Sequence, residues 1–279
     1  MIIDFHTHIF PPQLNKNRGE YVDRDPCFAA LYSDEKAKLA SAEELIESMD
    51  RDGVDISVVL NIGWSSHELC VETNDYILES IARYPERLVG FCAVQPRLVD
   101  EAVAEIKRCV KGGVKGIGEL RPDTQQIDLT DETTIGPFVE AIKKHNLVLL
   151  VHASEPVGHQ YPGKGTVTPE KLYPFIAAHP DVSLVCAHWG GGLPFYTLMP
   201  EVGNLLENTY FDTAASPFLY NSQIYSRVSQ LVGADRVLFG SDYPLLAQDR
   251  LIKEIKASGL PDDDVELVLS GNARRLLNI

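Results

Sequence analysis

Four separated stretches of the sequence each end a short apolar run with a side chain of the metal-binding type. The side chains are His6 with His8, His152, His188 and Asp242. Apolar runs of this length bounded by turn residues are typical of buried strands. Ligands at the carboxyl ends of several parallel strands can converge at the mouth of a barrel. A packed core has no use for repeated imidazoles at one end of its strands, so the pattern predicts a metalloenzyme.

The ligand types indicate the chemistry. His6 and His8 lie two residues apart on an extended segment, so both imidazoles project to one side and can hold one ion. His152 and Asp242 supply further nitrogen and oxygen ligands for Zn²⁺ or a similar divalent ion. Bound zinc lowers the pKa of its water to about 7, and Asp242 would both bind the ion and relay the proton of that water. His188 is either a second-metal ligand or a catalytic imidazole.

Glu119 ends the fourth apolar run, within Gly118-Glu119-Leu120, and two interpretations of it stay open. As a bridging carboxylate, it would join the ion of the first strand to a second ion held by His152 and His188. As an orienting carboxylate, it would hydrogen-bond to a ligating histidine. The sequence therefore predicts one or two divalent ions, with zinc preferred and manganese as the alternative.

Four further residues near strand ends are predicted to contact the substrate. They are Asn61, Arg121, Trp189 and Tyr243. Arg121 is the best candidate to bind a substrate carboxylate, because its planar guanidinium suits bidentate pairing. An exposed salt bridge is an equally good explanation of Arg121 at this stage.

The elements that must position these residues alternate regularly along the chain. Strands are predicted at 2–8, 54–60, 88–94, 114–120, 147–151, 182–187, 209–213 and 236–241. Helices are predicted at 41–52, 71–83, 100–111, 135–145, 169–178, 198–206 and 222–231. Eight βα units without a linker predict an α/β fold with one domain over residues 1–279, a closed (β/α)8 TIM barrel with its metal site at the carboxyl ends of the strands. Residues 10–34 contain Pro11, Pro12 and Pro26 and are predicted to form an irregular loop over the mouth.

Composition excludes several classes of partner. The 40 acidic residues outnumber the 25 basic ones and give a net charge of -15, which would repel nucleic acid. No apolar stretch approaches the ~18 residues that a membrane span needs, and the first strand leaves no room for an export signal. The five cysteines share no C-x-x-C spacing, which predicts reduced thiols in a cytoplasmic protein. The expected partner is a small-molecule substrate, and association into a homodimer stays open.

Several motifs together resemble the amidohydrolase superfamily, specifically the amidohydrolase-2 branch that contains aminocarboxymuconate-semialdehyde-decarboxylase-like enzymes. The motifs are Asp4-Phe5-His6-Thr7-His8, Val151-His152, Ala187-His188-Trp189-Gly190-Gly191, Phe239-Gly240-Ser241-Asp242-Tyr243-Pro244 and Gly271-Asn272-Ala273-Arg274-Arg275. The resemblance implies metal binding by His6, His8, His152 and Asp242, and a catalytic role for His188. Glu119 departs from this branch, in which the strand-four residue is not generally a ligand, and is more similar to the glutamate of TatD-like two-metal hydrolases.

The resemblance and the ligand set lead to one main function and several alternatives. We expect a metal-dependent hydrolase that uses metal-activated water on a small cyclic or carboxylated substrate, such as an amide, lactone or ester. The main alternative is a metal-dependent non-oxidative decarboxylase of a small carboxylic acid, because both reactions use one Lewis-acid ion and a proton donor. A non-catalytic metal-binding barrel is disfavoured by the surplus His188 and the aromatic residues near the mouth. The acidic composition disfavours a TatD-like nuclease.

Overall fold

A computed structural model describes every residue from Met1 to Ile279. Its eight strands are parallel and pair in chain order from β1 to β8. The strands are β1 (Ile3–His8), β2 (Ile56–Leu60), β3 (Leu88–Cys92), β4 (Gly116–Leu120), β5 (Val148–Val151), β6 (Leu184–Cys186), β7 (Thr209–Asp212) and β8 (Val237–Leu238). Apart from β1, which contains Asp4, His6 and His8, they are mostly apolar because helices cover the outer face while side chains fill the interior. The predicted strands and the predicted (β/α)8 barrel are confirmed.

The barrel closes between its last and first strands through the segment that follows β8. Phe5 N donates to Phe239 O at 2.7 Å, Asp242 N donates to His6 O at 2.8 Å, and His8 N donates to Tyr243 O at 2.7 Å. This closure brings the far end of the chain against β1. Two distant parts of the sequence thereby contribute side chains to one end of the barrel.

The helices surround the sheet. They are α1 (Pro12–Lys16), α2 (Arg18–Arg24), α3 (Pro26–Tyr32), α4 (Ala42–Asp52), α5 (His67–Arg83), α6 (Val99–Lys111), α7 (Glu132–His145), α8 (Pro169–Ala178), the helical turn α9 (Ala187–Gly190), α10 (Pro200–Gly203), α11 (Ser216–Leu219), α12 (Ile224–Val232), α13 (Gln248–Lys256), α14 (Asp262–Glu266) and α15 (Asn272–Leu277). The capping box predicted before α4 is present, with Ser41 and Glu44 each accepting from the backbone N–H of the other. None of the helices has the length and apolar character that crossing a membrane would require.

The prediction of an irregular loop over residues 10–34 was wrong, because this segment folds into α1, α2 and α3. Pro12 and Pro26 each occupy the first helical turn, where proline loses no hydrogen bond and its fixed φ favours a helix start. Asp25 caps α3 by accepting from Phe28 N at 2.9 Å. The prolines therefore begin helices here instead of excluding them.

Three apolar clusters hold these layers together. The barrel interior is filled by side chains such as Phe5, Phe91 and Leu150, all fully buried. A larger cluster packs the outer helices against the strands. The third cluster seats α1 to α3 beside the mouth, where the rings of Phe28 and Trp64 stack with centroids 5.5 Å apart. The predicted position of the segment beside the mouth is therefore correct, although it is helical.

Candidate metal centre and substrate cavity

A cavity of about 510 Å³ opens at the carboxyl ends of the strands. Its polar lining includes all six predicted ligands except His6, which lies fully buried directly beneath it. Its apolar lining comes from the third apolar cluster on one side and from the loops after β7 and β8 on the other. These apolar side chains are Leu31, Tyr32, Phe218, Leu219 and Leu245. The volume lies within the range of about 300–1,000 Å³ that small-ligand pockets occupy.

The innermost group consists of His6, His8 and Asp242. His6 Nε2 lies 3.1 Å from His8 Nε2 and 3.8 Å from Asp242 Oδ1, and His8 Nε2 lies 3.5 Å from the same oxygen. Ligands bound at about 2.1 Å to one ion lie roughly 3.0–3.4 Å apart when their bonds make tetrahedral or octahedral angles. The separation of the two imidazoles lies within this range, and the two separations from Asp242 exceed it only slightly, so a small rotation of the Asp242 side chain would complete the coordination of one divalent ion.

Asp212 fixes the orientation of His6. Its Oδ2 accepts from His6 Nδ1 at 2.7 Å, and both side chains are fully buried. Because the proton is on Nδ1, the Nε2 lone pair of His6 faces the other ligands, as in the carboxylate–histidine–metal arrangement of many metalloproteins. Asp212 was not among the site residues predicted from the sequence. It ends β7 as the predicted ligands end their strands, and that position was the available signal.

Glu119 lies between the innermost group and two further histidines. Its Oε2 is 4.0 Å from His8 Nε2, whereas its Oε1 accepts from His152 Nδ1 at 2.8 Å and lies 3.4 Å from His188 Nε2. The ligand atoms of Glu119, His152 and His188 all lie within 4.8 Å of one another, and so do those of His6, His188 and Asp242. The structure therefore brings all six predicted ligands together in one cluster.

His188 presents one ring nitrogen to the cavity. Its Nδ1 lies 3.2 Å from the carbonyl oxygen of Ala214, and a carbonyl only accepts, so Nδ1 carries a proton and Nε2 faces Glu119. The backbone at His188 has φ 54°, in the left-handed region that non-glycine residues rarely adopt. Its backbone N donates to Asp212 Oδ1 at 2.8 Å, which holds this turn in place.

Asp242 is also placed by an unusual backbone conformation. Its φ is 64°, and the preceding Ser241 is anchored by Asp4, which accepts from Ser241 N at 2.9 Å and from Gln248 Nε2 at 2.7 Å. A side chain on Gly240 would place its Cβ 2.8 Å from the Cβ of His6. Only glycine lets the segment after β8 come this close to β1. The strained turn and the close approach together direct Asp242 toward His6.

The pKa values in this cluster reflect close packing of acids and imidazoles. Burial opposes ionisation of Asp242, but hydrogen bonding from His8 and the charge of His6 lower its pKa to about 2. Burial likewise opposes the charged form of His6, but Asp212 raises its pKa to about 10, so an ion bound at Nε2 would displace the second proton of this ring and leave the one on Nδ1. Burial and the nearby Arg121 lower the pKa of His152 to about 4. Carboxylates held ionised beside imidazole nitrogens form a donor set suited to a divalent cation.

Of the four predicted substrate contacts, only Arg121 lines the cavity. Asn61 is fully buried and donates to Asn74 Oδ1 at 3.0 Å. Trp189 is fully buried and donates to Ser216 Oγ at 2.7 Å, while the hydroxyl of Tyr243 donates to the Glu44 carbonyl at 3.2 Å. These last three residues therefore stabilise the loops around the cavity and do not face it.

Comparisons with known proteins agree with the fold. A family model described as Amidohydrolase matches residues 3–279. A gamma-resorcylate decarboxylase from Rhizobium radiobacter is 23% identical over 253 residues, which cover 76% of each chain. The crystal structure of a 5-carboxyvanillate decarboxylase from Sphingomonas paucimobilis has a TM-score of 0.81 at 17% identity, with coverage of 100% of this chain and 99% of that one. A 5-carboxyvanillate decarboxylase from Novosphingobium aromaticivorans, solved with bound manganese, has a TM-score of 0.83 at 17% identity, with coverage of 100% and 97%.

Proposed function

This chain belongs to the amidohydrolase family, and from that premise we propose that it is a divalent-metal-dependent, non-oxidative decarboxylase of a small aromatic carboxylic acid. The relatives described above act on aromatic acids by their names, and they support this alternative prediction better than the hydrolase that we expected first. Both predictions make the protein an enzyme of the amidohydrolase superfamily, and the comparisons support that shared part.

One observation in this chain carries the proposal. The same cavity combines the cluster of metal-binding side chains with apolar walls from Tyr32, Phe218 and Leu245, and with the guanidinium of Arg121. Apolar walls accept an aromatic ring, while the cluster and the guanidinium accept its anionic oxygens. An aromatic acid therefore satisfies each part of the lining.

We propose that His6, His8 and Asp242 hold the ion, because their three facing atoms lie 3.1–3.8 Å apart. His152 stays a predicted ligand from the family resemblance. The manganese of one structural neighbour supports a divalent ion in this position, while zinc stays a prediction. When bound, such an ion would supply a Lewis acid that holds the anionic oxygens of the substrate and thereby fixes its ring in the cavity.

His188 is the proposed proton donor, since its Nε2 faces the cavity while Nδ1 is engaged by Ala214. A proton passes from Nε2 to the ring carbon that bears the carboxylate. The bond between that carbon and the carboxylate then breaks, its electron pair returns to the ring, and CO₂ leaves. The imidazole regains its proton from water. Asp242, whose oxygen atom lies within 4.8 Å of His188, can relay this proton.

The test is a decarboxylation assay on metal-loaded protein. Protein stripped of metal and reloaded with Mn²⁺ or Zn²⁺ is incubated with a panel of hydroxybenzoic acids, and both CO₂ and the ring product are measured. We expect metal-dependent CO₂ release from at least one acid, loss of activity in His188→Asn with retained ion, and normal activity in the control His145→Asn. Metal-dependent hydrolysis of lactones or amides, with no CO₂ from any acid, would overturn the proposal.

A further inference from the structure

Arg121 is a buried cation without sufficient protein partners. It follows β4, its side chain is 2% exposed, and it lines the same cavity as His8 and Asp242. Burying a guanidinium is costly unless acceptors surround it. We therefore ask whether protein acceptors satisfy all the N–H groups of the Arg121 guanidinium.

The protein fills only part of the donor capacity of Arg121. Its Nη2 donates to the Gly163 carbonyl at 2.6 Å and lies 3.4 Å from His152 Nε2. The nearest carboxylate oxygen, Oδ1 of Asp123, is 4.0 Å from Nε, and Oδ2 of Asp123 accepts from Thr166 N at 2.9 Å. The buried Nε has no hydrogen-bond partner. The two guanidinium hydrogen bonds that Arg121 makes to the protein both involve Nη2, so Nη1 has no hydrogen-bond partner either.

The position of the Arg121 guanidinium relative to the metal-binding side chains decides which part of a ligand it can contact. One imidazole ring separates the two, because His152 contacts Glu119 through Nδ1 at 2.8 Å and approaches Arg121 through Nε2 at 3.4 Å. A carboxylate of a ligand held at His6, His8 and Asp242 would therefore lie on the other side of His152 from Arg121. A substituent on the far side of the same small ring would face it.

The cavity entrance carries positively charged side chains, although the chain is acidic overall. Lys36 and Lys38 lie exposed at the entrance, with Asp34 beside them. Two ammonium groups in this position offset the repulsion that a net charge of -15 exerts on an anion. The route to Arg121 therefore favours anionic ligands locally.

We propose that Arg121 binds a second anionic oxygen substituent of the substrate, remote from the carboxylate that is lost. This inference rests on the proposed function for the choice of an aromatic acid, and it narrows the substrate to a ring with a second carboxylate or a phenolate. A planar guanidinium with unfilled donors pairs with a carboxylate through two hydrogen bonds and with a phenolate through fewer. Arg121 is thereby a specificity-determining residue.

Binding of ring analogues tests this directly, without turnover. Calorimetry on manganese-loaded protein compares benzoate, isophthalate and 3-hydroxybenzoate in wild type, Arg121→Met, Arg121→Lys and the exposed control Arg97→Met. We expect wild type and the control to bind isophthalate at least tenfold more tightly than benzoate, and Arg121→Met to bind the two alike. Preference for 3-hydroxybenzoate over isophthalate would assign a phenolic oxygen as the second group. Because a phenol has a pKa of about 10, its ionisation on binding to Arg121 would appear as proton release in the calorimetry.

The same experiment separates this inference from the proposed function. An unchanged isophthalate preference in Arg121→Met, or equal binding of all three acids by wild type, would overturn the role of Arg121 whatever the protein catalyses. Should Arg121→Met fail to fold, Arg121→Lys answers the question, because lysine keeps the charge and loses the bidentate geometry. A preserved preference in that variant would equally contradict the proposal. An intact preference in wild type without decarboxylation of any acid would refute the function alone.

Discussion

Changing Asp212 to asparagine should weaken metal binding without altering any ligand. Oδ1 of Asp212 accepts from the backbone N–H groups of His188 at 2.8 Å and Ala214 at 3.1 Å, and Oδ2 accepts from His6 Nδ1. In Asp212→Asn the single amide oxygen must serve the two backbone donors, so the NH₂ group faces His6. Since NH₂ only donates, His6 Nδ1 must give up its proton and Nε2 must carry it. A protonated Nε2 has no lone pair for the ion.

The expected loss follows from this one hydrogen bond. A buried hydrogen bond to a charged group contributes about 1.5–3 kcal/mol, and loss of such an orienting partner typically weakens metal affinity about 10- to 100-fold. The two ranges agree, because each tenfold step is about 1.4 kcal/mol. An ion concentration a thousandfold above Kd stabilises the folded wild type by about 4.1 kcal/mol, and would stabilise Asp212→Asn by only about 1.4–2.7 kcal/mol.

Titration of metal-free protein with Mn²⁺, followed by calorimetry and by melting with and without the ion, measures both quantities. Asn272→Ala is a suitable control for general destabilisation. The amide of Asn272 donates to the carbonyls of Ala234 and Val237 near the start of β8, away from every ligand. It should lower the melting temperature of metal-free protein and leave the manganese Kd unchanged. A manganese Kd in Asp212→Asn within twofold of wild type would refute the role assigned to Asp212.

Three further outcomes are expected. His6→Ala combined with His8→Ala should remove most bound metal and all activity, and full metal occupancy by elemental analysis would contradict the ligand assignment. Glu119→Gln should keep one ion per chain with activity reduced about 10- to 100-fold, since the 2.8 Å contact with His152 favours an orienting role; a fall from two ions to one would establish the bridge instead. Burial raises the pKa of Glu105, but hydrogen bonds from Arg108 outweigh this effect, so the pKa is lower in the folded than in the unfolded protein. The contribution of Glu105 to stability is therefore present above its unfolded pKa and is lost as the pH falls through its folded pKa. Glu105→Gln should therefore cost about 1–2 kcal/mol near neutral pH and much less in acid, as urea unfolding at several pH values would measure.

Strand-end placement was predictable because it depends on periodicity alone. An apolar run that ends in a ligand type fixes where a parallel strand stops, and closure of eight such strands brings the ends together. His6, His8, His152 and Asp242 could be located in this way although β8 lies more than two hundred residues after β1. The same logic, applied to the end of β7, identifies Asp212.

Side-chain direction beyond the strand ends was not predictable in this way. Trp189 and Tyr243 each follow a predicted ligand by one residue, and both turn away from the cavity because the backbone leaves the strand conformation there. His188 and Asp242 have φ of 54° and 64°. Histidine and aspartate are enriched in this region, but most of them lie outside it, so the residue type alone does not predict these conformations. Such conformations are maintained by distant partners, such as Asp4 for the turn before Asp242, and these partners have no local sequence signal.

The choice between hydrolysis and decarboxylation depends on features that lie outside the ligand motifs. Both reactions need an ion and a proton donor, so His6, His8, Asp242 and His188 serve either one equally well. The two reactions differ in whether the cavity holds an aromatic ring so that its carboxylate-bearing carbon faces His188. This placement depends on the apolar walls of the cavity and on Arg121. Tyr32 contributes to the cavity wall from α3, in a segment that its prolines led us to predict as irregular. Arg121 differs from an arginine in a surface salt bridge only because it is buried and its own Nε has no hydrogen-bond partner. The reaction is therefore encoded by the placement of the substrate more than by the identity of the ligands.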